Sequence, residues 1–292
     1  MLAAQGGLMI ETTTSLRRVA LPLVLLAVMA GCDSGSTPPG PASPVPAGAA
    51  GSALLPRPSP AIQRIEELGR TIYLLDNAAA RATDLAFAKG ADLRASDMWG
   101  WVTDTSGPGV LVRFIRQKGG RFEAAYDVTV DGSGRAVSMT QPATPALTPE
   151  QASQFAALQL VSARPLPPLC PGPYAHVAFR DPASPSDWRV YLLAATTDPQ
   201  VRVYAGHQRY MVSGDGSRIL SSEQLSKNCL APRLEVPPGQ TPQLFLITEL
   251  QSPTPTETHV FDNLLYRLPI LVVTVPEKKQ WIVDQGRISG PR

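Results

Sequence analysis

The stretch that decides the fold is YDVTVDGSGR at residues 126–135, where apolar and polar residues alternate and then give way to Asp-Gly-Ser-Gly. An alternation with a period of two predicts a half-buried β-strand, and Asp-Gly suits the positive φ angles of a tight hairpin turn. The pattern recurs as YMVSGDGSR at residues 210–218 and, in shorter form, as VDQGRI at residues 283–288. The chain is therefore predicted to form antiparallel hairpins in three places.

Similar alternation extends on both sides of these hairpins, and short segments rich in Gly, Pro and Ser interrupt it. It predicts strands at residues 99–104, 110–117, 121–130, 135–140, 174–180, 188–195, 201–207, 209–213, 218–222, 244–250, 270–275 and 281–283.

Three helices are predicted between the strands, and each begins with a hydroxyl residue followed by proline. The hydroxyl can accept a backbone N–H that has no partner in the first turn, and proline has no N–H to leave unpaired. The predicted helices span residues 60–89 after Ser59, 149–163 after Thr148 and 255–267 after Thr254, with Gln151 and Glu257 completing capping boxes.

These elements predict an α+β protein in which capped helices pack on antiparallel β-sheet, arranged as tandem helix-plus-meander units. One unit is expected at residues 61–146. A second is expected at residues 147–292, which also hold a short third helix-strand unit. The hairpin pattern and the order of elements resemble PepSY-type modules, small extracytoplasmic domains in which a helix packs on a sheet. That resemblance implies a binding or inhibitory module rather than an enzyme.

The first 31 residues have the composition of a secretory signal peptide. Arg17 and Arg18 precede an uncharged run at residues 19–30 that is mostly Leu, Val and Ala, and a basic region followed by an apolar one is typical of such signals. As a helix this run would reach about 18 Å, which is too short for a bilayer core of roughly 30 Å. Whether the chain starts at Met1 or Met9 stays open.

The signal ends in Met29-Ala30-Gly31-Cys32, which resembles the lipobox of bacterial lipoproteins. The resemblance implies cleavage before Cys32, a diacylglycerol thioether on its sulfur and an acyl group on its amine. It therefore implies a protein that is lipid-anchored to a bacterial membrane and faces the periplasm. An ordinary signal peptide with an incidental cysteine is the alternative. Asp33 resembles an inner-membrane retention signal that does not apply in every lineage, so the choice between inner and outer membrane stays open.

The segment that follows, residues 32–60, is predicted to be a disordered tether. It is rich in Pro, Ser, Gly and Ala and carries few charges, so it cannot bury enough apolar surface to offset the entropy of ordering. A tether of this length is expected to let the folded part work away from the lipid headgroups.

Charge and cysteine content narrow the range of partners. The formal net charge is +2 and Lys and Arg form no cluster, so a nucleic-acid partner is not expected.

Cys170 and Cys229 are the cysteines other than Cys32, and two cysteines in an oxidising compartment most simply form a disulfide. Two buried free thiols are the alternative. Because neither these cysteines nor the three histidines have metal-ligand spacing, no metal or other cofactor is predicted.

Catalytic signals are weak. The sequence contains no nucleophile-elbow, zinc-protease, phosphate-loop or dinucleotide-binding motif. The best candidate is His259 with Asp262, which lies three residues further along the predicted third helix and so shares its face, as does Asn263. A histidine beside a carboxylate can act as a general base. The alternative explanation for this cluster is an ordinary helix cap with polar side chains that face the solvent.

Three hypotheses about function follow. The leading one is a non-catalytic envelope module that binds a protein or peptide, with the Pro-rich loops at residues 231–242 and 251–258 as the expected contact segments. The second is a hydrolase of envelope polymers that uses His259 with Asp262. The third is a small-ligand sensor, which requires a deep apolar pocket.

Overall fold

The structure is a computed structural model that describes residues 58–233, 243–275 and 277–291, and these residues belong to one compact unit. The predicted signal peptide, the lipobox with Cys32 and nearly all of the tether lie outside the described residues, so these assignments stay predictions. No helix in the described ranges has both the length and the apolar character that crossing a membrane demands.

The described residues form three helices and twelve strands, which confirms the α+β fold class. The elements are α1 (Pro60–Ala88), β1 (Met98–Asp104), β2 (Val110–Lys118), β3 (Arg121–Val130), β4 (Ala136–Thr140), α2 (Pro149–Ala163), β5 (Tyr174–Asp181), β6 (Ser184–Ala194), β7 (Gln208–Val212), β8 (Ile219–Gln224), β9 (Phe245–Glu249), α3 (Glu257–Tyr266), β10 (Ile270–Thr274), β11 (Lys279–Asp284) and β12 (Arg287–Ser289).

Two of the sheets are antiparallel meanders of four strands each. Sheet A has the order β1-β2-β3-β4, and sheet B has the order β5-β6-β7-β8. In sheet A, Asp131 closes the predicted turn by accepting hydrogen bonds from the backbone N–H groups of Ser133 and Arg135 at 2.9 and 3.1 Å. Asp215 accepts the Ser217 N–H in the same way at 3.0 Å in sheet B. Both hairpin predictions are confirmed.

Sheet C has the order β12-β11-β10-β9 and differs from the other two in one respect. Strands β9 and β10 run parallel, with α3 as the crossover between them, whereas the other pairs are antiparallel. The predicted third hairpin joins β11 to β12, and Gln285 and Gly286 have φ angles of 49° and 72°, the positive pair that a type I′ turn requires.

The helices lie over more than one sheet, so the core is shared. Ile72 and Leu75 of α1 pack with Val112 and Val128 of sheet A and with Tyr191 of sheet B. Helix α2 likewise packs against both sheets, and α3 packs on sheet C together with the first turn of α1. Burial of these apolar faces stabilises the fold by roughly 25 cal/mol per Å² removed from water.

The first two helix starts are confirmed and the third is wrong by two residues. Ser59 caps α1 and Thr148 caps α2, where the reciprocal box with Gln151 is present. The third helix begins at Glu257 after Thr256, not after Thr254. The reason is that the ring of His259, three residues after Thr256, accepts the backbone N–H of Thr256 and so completes the capping box there.

The strand predicted at residues 201–207 is also wrong. This segment makes a single isolated bridge among the described residues, between Val201 and Arg233. Its other backbone bonds run irregularly to residues 198, 225, 230 and 232. Gly206, with φ of 100°, turns the chain before β7 begins. The predicted disulfide is confirmed, because Cys170 and Cys229 are bonded across 59 residues of sequence and tie the segment before β5 to the segment after β8.

Candidate functional site

Both predicted site residues of α3 are buried beneath sheet C. His259 and Asp262 are 4% and 0% exposed, and Asn263 beside them is 2% exposed. Asn263 has a structural role, because its amide donates to the Leu268 carbonyl at 2.9 Å and its oxygen accepts the Gly286 N–H at 2.8 Å. It thereby joins the end of α3 to the turn between β11 and β12.

His259 is oriented by the cap of its own helix. Its Nδ1 accepts a hydrogen bond from the Thr256 N–H at 2.9 Å, so in the neutral ring the proton is on Nε2. That Nε2 lies 3.8 Å from Oε2 of Glu249, the last residue of β9. Burial lowers the pKa of His259 to about 4, with His207 acting in the same direction, so the ring is neutral at pH 7.

The nearest histidine to Asp262 is His207, a residue that the sequence did not single out. His207 Nδ1 accepts the Ala194 N–H at 3.0 Å, which leaves the proton on Nε2, and this atom lies 3.4 Å from Asp262 Oδ1. The distance is within ion-pair range, but neither atom has a hydrogen bond of good geometry among the described residues. The pKa of Asp262 is raised because burial outweighs the attraction of His207.

Two more carboxyl groups belong to this region. Burial raises the pKa of Asp76, on α1, to about 6, although His207 opposes the shift. Burial also raises the pKa of Glu249, although the backbone N–H groups of Gln251 and Ser252 donate to its Oε1 at 2.6 and 3.0 Å.

A cavity of about 370 Å³ opens beside these side chains. We call it the edge slot, and its lining is residues 204–207, 225–230, 246–250, 258 and 259. His207, His259 and Glu249 supply buried polar groups, while Leu246 and Leu250 supply exposed apolar ones. Its volume is at the lower end of the range typical of ligand sites.

One wall of the edge slot is the outer edge of β9. Phe245 N–H donates to the Pro269 carbonyl, and the Glu249 carbonyl accepts from the Val275 N–H. Because backbone groups alternate sides along a strand, residues 245, 247 and 249 face β10. The N–H and C=O of Leu246 and Thr248 therefore point away from the sheet, and no described residue pairs with this edge.

The hydrolase hypothesis paired His259 with Asp262, whereas the structure places Asp262 against His207 and His259 against Glu249. The Glu249 carboxylate is 3.8 Å away, and the hydroxyl in contact with the ring, that of Thr256, belongs to the helix cap. Within the described ranges, no three His, Cys, Asp or Glu side chains are placed to hold a metal ion.

The expected contact loop at residues 251–258 is less exposed than predicted. Glu257 and Thr258 are 4% and 3% exposed, since Glu257 is bonded to Tyr191 and Arg209 of sheet B. The other expected loop, at residues 231–242, lies mostly outside the described residues.

The chain matches no family model, no curated protein and no solved structure. Kinship with PepSY-type modules therefore stays a prediction that rests on the hairpin pattern and the order of elements. His207 and Glu249 could not have been found from the sequence, because neither stands in a motif and each meets its partner only through the tertiary fold.

Proposed function

We propose that this protein is a lipid-anchored bacterial lipoprotein, attached through Cys32 and facing the periplasm, whose folded part binds an extended segment of a protein or peptide partner without catalysing a reaction. The observation that carries the binding proposal is the outer edge of β9 along the edge slot, with which no residue of the described ranges pairs. The signal-like N-terminus and its lipobox support the proposed lipid anchor and periplasmic location.

An unpaired edge is a template for another strand, and proteins usually protect such edges with lysine, proline, a bulge or a covering segment. The sequence of β9 is FLITE, which has neither lysine nor proline. Leu246 is 57% exposed, and Leu244 and Leu250 on either side are 45% and 51% exposed. These leucines alternate along the strand and so share one face. An edge of this kind suits a partner strand.

Strand addition divides affinity and specificity between two parts of the site. Backbone hydrogen bonds to the edge supply affinity, and pockets for alternate side chains supply specificity. In the edge slot, the outward N–H and C=O groups of Leu246 and Thr248 would make the backbone bonds. Side chains of the added strand that point inward would meet His207, His259 and Glu249.

The test uses the mature, oxidised chain with Cys32→Ala, screened against a random library of nine-residue peptides. Thr248→Pro removes an outward N–H while leaving the bonds to β10, and proline is tolerated at such edge positions. We expect it to weaken binding of the enriched peptides by about tenfold or more. Thr248→Val, the matched control, keeps the N–H and is expected to bind like the parent.

N-methylation along an enriched peptide gives a second measurement. Strand addition predicts that methylation weakens binding at every second residue, because alternate N–H groups face the edge. If no peptide is enriched, or if binding is insensitive both to Thr248→Pro and to the methylated position, the proposal is wrong.

A small-ligand sensor is the second candidate, because the volume of the edge slot lies within the range of ligand sites. The buried polar groups of the slot differ from the deep apolar pocket that this hypothesis required. Such a ligand would be held by side chains rather than by the strand edge. Binding of a small molecule that survives Thr248→Pro but is lost in His207→Ala would support the sensor over the peptide-binding module.

A further inference from the structure

We propose that the side chain which the partner inserts into the edge slot is positively charged, a lysine or an arginine, and that its charge is neutralised by Glu249. This inference rests on the proposed function, since it names the chemistry of the peptide that adds to β9.

Buried carboxylates elsewhere in the described residues have an arginine nearby. Glu66 lies 3.5 Å from Arg70, and Asp181 lies 3.1 Å from Arg189. Glu257 is bonded to Arg209. A buried charge is costly unless it is paired, and these arginines meet that requirement.

The partly buried Asp76 has no lysine or arginine within ion-pair distance in the described part of the chain. Neither do Glu249 and Asp262, the two exceptions among the fully buried carboxylates. Both lie against histidines: Asp262 against His207 and Glu249 against His259. At pH 7 the ring of His259 is neutral, so it does not supply the missing positive charge to Glu249.

The Glu249 carboxylate is oriented through one of its oxygens, which leaves the other oxygen for a ligand. Its Oε1 accepts the N–H groups of Gln251 and Ser252. No described side chain forms a hydrogen bond to its Oε2, and His259 Nε2 lies 3.8 Å from that atom. The backbone N–H of Leu250 also acts on the carboxylate, where it helps to lower the pKa. The side chain is 4% exposed yet lines the cavity. An oriented carboxylate with an unused oxygen favours a cationic hydrogen-bond donor.

The walls of the edge slot suit the rest of a lysine or arginine side chain. Ile247, which projects from the same face of β9 as Glu249, offers apolar surface together with Leu225 and Leu230. The methylene stem can lie along this surface while the charged head reaches the carboxylate. The one other formally charged side chain in the described lining is Lys227, which is exposed. An acidic side chain would bring a second negative charge to a buried carboxylate, which is unfavourable.

The test uses the Cys32→Ala chain and five acetylated, amidated peptides of sequence Thr-Val-Xaa-Val-Thr, with Lys, Arg, Met, Gln or Glu at Xaa. Affinities are measured by NMR titration. We expect the Lys and Arg peptides to bind about tenfold or more tighter than the Gln peptide, and the Glu peptide to bind most weakly. In Glu249→Gln, which keeps an acceptor for the two backbone N–H groups, this preference should disappear.

Glu277→Gln is the matched control, because Glu277 is an exposed carboxylate in the turn between β10 and β11 that pairs with Lys279 outside the edge slot. It should keep the preference. Should Glu249→Gln fail to fold, the ranking of the five peptides on the parent chain decides the matter.

Equal affinity for all five peptides, with sensitivity to Thr248→Pro, would overturn the charge inference and leave strand addition standing. Tightest binding of the Glu peptide would do the same. Absence of binding by every peptide would overturn both proposals.

Discussion

The Tyr191 hydroxyl donates a hydrogen bond to Glu257 Oε1 at 2.8 Å, across 66 residues of sequence. It joins the middle of β6 to the first residue of α3, and both side chains are buried. Arg209 donates to the same oxygen. The pKa of Glu257 is lowered, because the hydrogen bonds and charge of these partners outweigh the effect of its burial. This contact fixes the start of the helix that carries His259 and Asp262.

Tyr191→Phe is expected to destabilise the fold by about 1–3 kcal/mol, because it leaves a buried carboxylate short of one donor. The measurement is urea unfolding at pH 7. Tyr126→Phe is the control, since the Tyr126 hydroxyl makes no hydrogen bond in the described residues, and it should change stability by less than about 0.5 kcal/mol. Equal effects of the two substitutions would contradict the prediction.

Gly69→Ala should destabilise the protein although alanine favours helix by about 1 kcal/mol. A Cβ at Gly69 would lie 2.5 Å from the Cβ of Val260 and 2.6 Å from the Glu257 carbonyl oxygen, so α1 and α3 would have to separate. Overpacking of this kind costs about 1–3 kcal/mol. The measurement is thermal unfolding. Ala80→Gly, at an exposed position of α1, is the control, because it measures the effect of helix propensity without a change in packing. A more stable Gly69→Ala chain would contradict the close approach of the helices.

His259→Asn should reduce the loss of folding stability that the parent shows as the pH falls from 7 to 4. The pKa of His259 is about 4 in the folded protein, against 6.5 as the ordinary value. Unfolding therefore takes up a proton between these pH values, and the stabilisation present above pH 6.5 is lost as pH falls towards 4. The loss amounts to about 3 kcal/mol. The unfolding free energies of parent and variant, measured from pH 7 to pH 4, should converge by roughly this amount.

Asp76→Asn should act with the opposite sign in the same pH range. The pKa of Asp76 is raised from 3.8 to about 6 in the folded protein, so the folded state holds the proton more tightly than the unfolded chain. Its stabilisation is complete below pH 3.8 and is lost as pH rises through 6. The variant should therefore gain stability relative to the parent as pH rises from 4 to 7. A constant difference over this range would show that Asp76 titrates normally.

Removal of the disulfide should weaken both the fold and the edge slot. Replacing Cys170 and Cys229 by serine frees a loop of about 60 residues, which costs about 4 kcal/mol in the loop-entropy description. Because Cys229 lines the slot, peptide affinity should fall as well. Urea unfolding and peptide titration, each with and without dithiothreitol, check both effects. The reductant should affect the parent and leave the double variant unchanged.

Features that depend on a few neighbouring residues were predictable from the sequence. The turns at Asp131 and Asp215, the caps at Ser59 and Thr148 and the strand alternation are local, because each is formed by hydrogen bonds or side-chain directions within about five residues. The disulfide was predictable for another reason, since the expected export leaves Cys170 and Cys229 with one way to pair. The error at the start of α3 was also local. Thr254 and Thr256 are both suitable N-cap residues, and Thr256 is the cap because His259 accepts its backbone N–H.

The tertiary structure decided the parallel pairing of β9 with β10 and the meeting of His207 with Asp262. It also decided the orientation of Glu249, whose Oε2 accepts no hydrogen bond from a described side chain. Each depends on which surfaces of distant segments are buried against one another, and strand alternation is the same for parallel and antiparallel partners. Burial also sets the state of the polar groups: it makes His259 neutral and raises the pKa of Asp76. The sequence by itself determined most of the elements and their turns, whereas the candidate site exists only because packing brings α1, β9, α3 and the segment before β7 together.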